Sequence, residues 1–307
     1  MTHADPGRHM AAEIEEATRV FARAAALDLG SRVETAGLAR ARAFYTVARG
    51  SSDAVANILS YEFMAELGRP VTSMPPSIFS VGQGVAMEGA AGLVVSQSGA
   101  SEDLVRAARG IRDHGGCVAA ITNVSGSAVE AAADLTIPVG AGEERAVPAT
   151  KTVIGSIGAG LALLAALAPD YAGRLARSVP LVDIAGRLPQ ADQDALRAAL
   201  LRARHVYVVG RNTGFGAAHE IALKIKETCA IHAEAYSASE VLHGPLQLAT
   251  NPLTVLMLDT GALGTEESLA NAAGRLREAG ANVHLVSPGV EGLTPGAAAA
   301  VVLRRVY

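Results

Sequence analysis

Glu220, Lys224 and Glu227 stand at i, i+4 and i+7, a spacing that puts all three within about 60° of one another on one face of an α-helix. A solvated, salt-bridged helix face has the same spacing. Here Ile221, Ala222, Leu223, Ile225 and Cys229 surround the charges, so the stripe is expected to be partly buried. That is the setting in which carboxylate pKa values shift and acid–base chemistry becomes available. His243 follows in Glu240-Val241-Leu242-His243-Gly244-Pro245, a turn-like segment that places an imidazole where the chain bends. Ser239 and Glu240 are close enough in sequence to orient it, and both a structural and a catalytic histidine fit the spacing.

A second constellation is Ser96-Gln97-Ser98-Gly99-Ala100-Ser101. It joins an apolar run to a helical pattern, the place in a parallel α/β sheet where backbone N–H groups face outward. Three hydroxyls, an amide and a helix dipole there favour an anion, with phosphate the obvious occupant. A plain helix cap from Ser98 or Ser101 is the alternative. Ser51 and Ser52 reach the same crevice from the loop after the first strand. At the corresponding place later in the chain, Leu258-Asp259-Thr260-Gly261 puts a carboxylate where Gln97 stands, so only the first copy is suited to phosphate.

Other chemistries lack their signatures. His232 and Glu234 invite a metal site with His243, but the zinc spacings and an H-E-x-x-H helix are missing, and no metal is expected. Without a P-loop or a G-x-G-x-x-G turn opening a first helix, nucleotide and NAD binding are not expected, and no cofactor is called for.

The elements that would position these residues come from hydrophobic periodicity. Ile14, Ala17, Phe21 and Ala25 recur at helical spacing within 10–29, giving an amphipathic N-terminal helix. Strands are expected at 43–48, 93–95, 118–122 and 135–139, and again at 206–209, 254–258 and 283–286, with helices between them. Continuous apolar strands alternating with helices define a parallel sheet covered on both faces. Gly50 matches Gly210 and Gly99 matches Gly261 at spacings of about 160 residues, so two copies of one doubly wound unit are expected. The expected organisation is an N-terminal helical segment over 1–42, a first domain over 43–185, a polar linker near Gly186–Gln193 and a second domain over 194–307.

Composition sets the outer limits. A chain of 307 residues that is 50% hydrophobic and 18% charged is long enough for two packed domains. Its net charge of −4, with basic residues scattered, makes nucleic acid a poor partner. Cys117 and Cys229 sit apart in apolar settings and are expected to be buried thiols. The N-terminus carries Asp5, Glu13, Glu15 and Glu16 instead of a secretory pattern, and the apolar stretch Val153–Pro169 is short for a bilayer. A soluble cytoplasmic protein with no membrane partner is expected.

Ser96-Gln97-Ser98-Gly99, Ala149-Thr150-Lys151, Ala222–Glu227, Ile231–Tyr236 and Leu242-His243-Gly244-Pro245 together resemble the SIS (sugar isomerase) family. More narrowly they resemble the isomerase half of glucosamine-6-phosphate synthases and the stand-alone SIS-type glucosamine-6-phosphate deaminases. The resemblance covers about residues 40–290. It implies two tandem flavodoxin-like α/β sandwiches and a sugar phosphate substrate, turned over by an isomerase or deaminase. It further implies that Ser52, Ser96, Gln97, Ser98 and Ser101 hold the phosphate, Ser101 standing where most members have Thr. By the same resemblance Val147 and Thr150 border the sugar, Glu227 moves the proton between C1 and C2, and Lys224 lies at the sugar hydroxyls. His243 would open the ring in the neighbouring subunit's site, which implies a homodimer with a shared active site. Reverse, ammonia-dependent synthesis, another sugar phosphate isomerase and a non-catalytic sugar-phosphate sensor are the rival expectations. Two departures stand out: Thr2 is where the synthases carry their glutaminase cysteine, so ammonia from glutamine is not expected by that route. The family's lysine-bearing tail has no match in Val301–Tyr307.

Overall fold

The computed structural model describes residues 7–307, which form two compact units, one running to Pro180 and the other from Leu181 to Tyr307. In the first, α1 (Arg8–Ala25) and α2 (Arg32–Thr35) precede β1 (Ala43–Val47), α3 (Ser51–Leu67), β2 (Val71–Ser73) and α4 (Ser77–Ser80). They are followed by β3 (Ala90–Ser96), α5 (Glu102–Asp113), β4 (Cys117–Thr122), α6 (Ala128–Ala131), β5 (Leu135–Pro138) and α7 (Lys151–Leu167). The strands form one parallel sheet in the order β2-β1-β3-β4-β5. Helix α8 (Pro169–Ile184) leads to α9 (Gln190–Arg202).

The second unit repeats the plan with β6 (His205–Gly210), α10 (Thr213–Cys229), β7 (His232–Ser237), β8 (Leu253–Leu258), α11 (Glu266–Glu278), β9 (Asn282–Val286) and α12 (Pro295–Val306). Its parallel order, β7-β6-β8-β9, is that of β2-β1-β3-β4. The central strands β3, β4, β6 and β8 are almost wholly buried, which is why they read as unbroken apolar runs.

Gly50 and Gly210 are not structural twins. The turn entered by Gly50 at φ 55°, ψ −131° is repeated by Asn212 at φ 56°, ψ −131°. Asn212 adopts a conformation favoured by glycine and offsets part of its cost by accepting the Thr213 N–H at 2.8 Å. Strands β2 and β7 fall outside the sequence expectation. β2 has only three residues, and in β7 polar residues interrupt the apolar pattern. The polar stretch near Gly186–Gln193 already contains the start of α9.

Helix α1 packs closely on α7. Its buried residues include Ile14, Ala17, Phe21 and Ala25. Gly158 permits the approach: a Cβ there would stand 2.8 Å from the Phe21 carbonyl oxygen and 3.2 Å from the Ala25 nitrogen. Both cysteines are free, but Cys229, expected to be buried, is exposed at the last residue of α10, where Ala230 turns left-handed at φ 53°.

Candidate active site

In the first unit, the loops leaving β1 and β3 meet a small cavity of about 90 Å³, lined by Arg49, Ser51, Ser52, Gln97, Ala149 and Thr152 among others. Ser52 and Gln97 thus line one cavity. Ser96 is buried beside them with its hydroxyl accepting the Gly99 N–H at 3.1 Å. Ser98 is exposed, and its oxygen accepts the Ala100 N–H at 3.3 Å. Ser101 occupies the N-cap of α5 but makes no side-chain capping bond. Neither serine caps the helix, and neither hydroxyl donates a hydrogen bond among the described residues. Gly99 is required here: its φ is 59°, and an added Cβ would lie 2.1 Å from the Ser127 oxygen.

Arg49 was missed by the sequence reading, since one basic residue after a strand has no spacing signature. Its Nε donates to the Asp103 carboxylate at 2.8 Å, and its Nη2 meets the same oxygen. The pair ties the turn after β1 to the first turn of α5. Thr150 is fully buried, and its hydroxyl has no hydrogen-bond partner among the described residues. Val147 projects from the same segment at 97% exposure. Lys151 is spoken for: its buried ammonium bonds Glu16 at 2.8 Å, which holds the Glu16 carboxyl below its usual range.

At the corresponding place in the second unit the polar groups bond to one another. Thr260 is buried with its hydroxyl 2.9 Å from that of Thr213, and Asp259 accepts the Gly261 N–H at 2.8 Å. A carboxylate therefore stands here in place of Gln97, and the hydroxyls are already engaged.

The charged stripe of the second unit lies along α10. Lys224, its side chain 5% exposed, stands 3.2 Å from the fully buried Glu220 and 2.7 Å from Glu227, which is 39% exposed. Tyr307 donates to Glu220 at 2.9 Å. One ammonium thus serves two carboxylates. The inner one takes both of these contacts on its Oε1, while Glu227 Oε1 makes no hydrogen bond among the described residues.

His243 lies between two 3₁₀ turns, Glu240–Leu242 and Pro245–Thr250. Its backbone N–H donates to the Glu240 carbonyl at 3.1 Å, and its exposed ring makes no hydrogen bond among the described residues. Ser239 does not orient the ring, because it accepts from Arg211 at 2.7 Å. The turn is held instead by that contact and by the Tyr207 hydroxyl, which donates to the Pro245 carbonyl at 3.1 Å. Among the described residues no cluster of three or more His, Cys, Asp or Glu side chains could hold a metal, and no helix is long and apolar enough to cross a membrane.

Two parallel α/β units of one strand order thus differ in their equipment, a small hydroxyl-lined cavity in the first and a lysine-anchored carboxylate in the second. The chain belongs to the SIS domain family, whose model matches residues 37–166 and 199–287. It is 37% identical over 235 residues to the glutamine–fructose-6-phosphate aminotransferase (isomerizing) of Aeropyrum pernix, a match covering 72% of this chain and 37% of that protein. The chain thus spans little more than a third of that relative. A protein from Silicibacter pomeroyi DSS-3 assigned as a phosphosugar isomerase has a solved structure that is 32% identical. It covers 97% of this chain and 96% of its own, with a TM-score of 0.84. The glucosamine-6-phosphate deaminase of Thermotoga maritima shares the fold at a TM-score of 0.74 and 20% identity, covering 97% of this chain and 92% of its own.

Proposed function

We propose that the protein is an isomerising deaminase that converts glucosamine 6-phosphate, or a close amino sugar phosphate, with water into fructose 6-phosphate and ammonia. The observation that carries this is the α10 trio, in which a buried Lys224 anchors Glu227 and leaves one of its oxygens available. His243 protonates the ring oxygen and opens the sugar. Glu227 then removes the C2 proton and returns it to C1, leaving an imine at C2. Water adds to that carbon and ammonia departs, so no oxidant or cofactor is needed. Proton transfer by a positioned carboxylate is an adequate source of rate. Ser52, Ser96, Gln97, Ser98 and Ser101 hold the phosphate, helped by Arg49, while Val147 and Thr150 border the sugar. In this reading the exposed ring of His243 serves the neighbouring subunit of a homodimer.

A second reading is favoured by the 37% identity to part of a glutamine–fructose-6-phosphate aminotransferase: the same proton transfer run from fructose 6-phosphate and ammonia. Purified protein incubated with a panel of amino sugar phosphates should release ammonia and ketose phosphate in equal amounts. Release with no member of the panel, together with formation of glucosamine 6-phosphate from fructose 6-phosphate and ammonia, would select the second reading.

A further inference from the structure

Helix α1 lies wholly before the first stretch matched by the family model, yet it is bonded repeatedly to the segment between β5 and α7. Arg23 donates to the Gly140 carbonyl at 3.1 Å. Glu13 accepts the Arg145 N–H at 2.5 Å and the Ala146 N–H at 3.2 Å. Glu16 pairs with Lys151 at 2.8 Å. These bonds span more than a hundred residues of chain. Across the segment, Asn123 holds Ala141 and Gly142 at 2.8 Å each, and Glu144 accepts the N–H groups of Thr150 and Thr152 at 2.9 and 3.1 Å. Both shoulders are therefore fixed, and between them project Val147, Pro148 and Ala149, the last of which lines the cavity.

Glu13 is the unusual member. It is only 5% exposed, and the bonds that hold it come from the backbone N–H groups of this segment. A buried carboxylate satisfied in this way costs free energy unless those donors stay in place, so the carboxylate and the segment fix one another.

We propose that α1 is a splint for the segment over the cavity and that Glu13 is a positioning residue for the sugar phosphate, acting through the backbone of Arg145 and Ala146. The ligand half of this proposal rests on the cavity being the sugar-phosphate site. Glu13→Gln in the full chain keeps the side chain's size but turns one acceptor into a donor facing N–H groups. Amide hydrogen exchange over 141–150 should quicken by about tenfold or more, the scale set by losing a bond to a charged group, while exchange in β3 and β4 is unchanged. KM for glucosamine 6-phosphate should rise by a similar factor with kcat changed far less, and the affinity for inorganic phosphate should hold.

Unchanged exchange over 141–150 would overturn the splint. Faster exchange throughout the first unit would overturn it too, by showing a general loss of stability. Local loosening with unchanged KM and unchanged glucosamine 6-phosphate affinity would overturn the ligand role. A wild-type protein that binds no sugar phosphate would refute the proposed function together with the ligand role, while the exchange result alone would still decide the splint.

Discussion

Ser98 and Thr260 occupy matching places in the two units, but their surroundings differ. The exposed Ser98 hydroxyl is free to donate to an anion, whereas Thr260 is buried against Thr213. Ser98→Ala should weaken glucosamine 6-phosphate binding by about 1.5–3 kcal/mol, the usual range for a bond to a charged group. Thr260→Ala should leave binding unchanged and lower stability by about 1 kcal/mol through the loss of its buried partner. Titration calorimetry and melting curves on both variants separate these effects, and equal losses of affinity would contradict the one-sided assignment. The i, i+4, i+7 stripe and the serine loop were legible in the sequence because their members are neighbours on a single helix or loop. Arg49, Glu13 and Glu144 were not. Arg49 meets Asp103 across 54 positions and Glu13 meets Arg145 across 132. Glu144, though near its partners, accepts backbone N–H groups that leave no mark on residue identity.

At the scale of elements, the contact between α1 and α7 makes a sharp demand on one residue. Gly158→Ala would push a methyl group against the Phe21 carbonyl and should destabilise the protein by about 1–3 kcal/mol, as overpacking does. Gly274 in α11 has nothing within 4 Å of its added Cβ. Gly274→Ala should therefore stabilise by about 0.5–1 kcal/mol through helix propensity alone. Urea unfolding of the two variants checks the pair, and similar shifts would mean that α1 does not approach so closely. Most strands could be read from their unbroken apolar runs, since both faces of a parallel sheet are covered. β7 escaped because His232, Glu234 and Tyr236 interrupt its pattern, and its charged residues suggested chemistry sooner than a strand. α9 escaped because Pro189 and its polar first turn resemble a linker.

For the whole molecule, two repeats of one sheet order carry unequal equipment: the hydroxyl-lined cavity belongs to the first and the lysine-anchored carboxylate to the second. If His243 serves a neighbouring subunit, a mixture of inactive Glu227→Gln and inactive His243→Ala proteins should regain activity after subunit exchange. Each mixed dimer then carries one intact site, so up to about a quarter of wild-type activity is expected from half the molecules being mixed. No recovery after verified exchange would show that each chain supplies its own histidine. The proposed reaction, however, turns on carbon-to-carbon proton transfer by Glu227, and this can be followed directly. Glucosamine 6-phosphate turned over in deuterium oxide should acquire solvent deuterium at C2 of recovered substrate or at C1 of the fructose 6-phosphate formed, as read by proton NMR. In Glu227→Gln that exchange should fall by about 10²–10⁴-fold with the melting temperature little changed, whereas near-normal exchange in a destabilised variant would reduce the α10 charges to scaffolding.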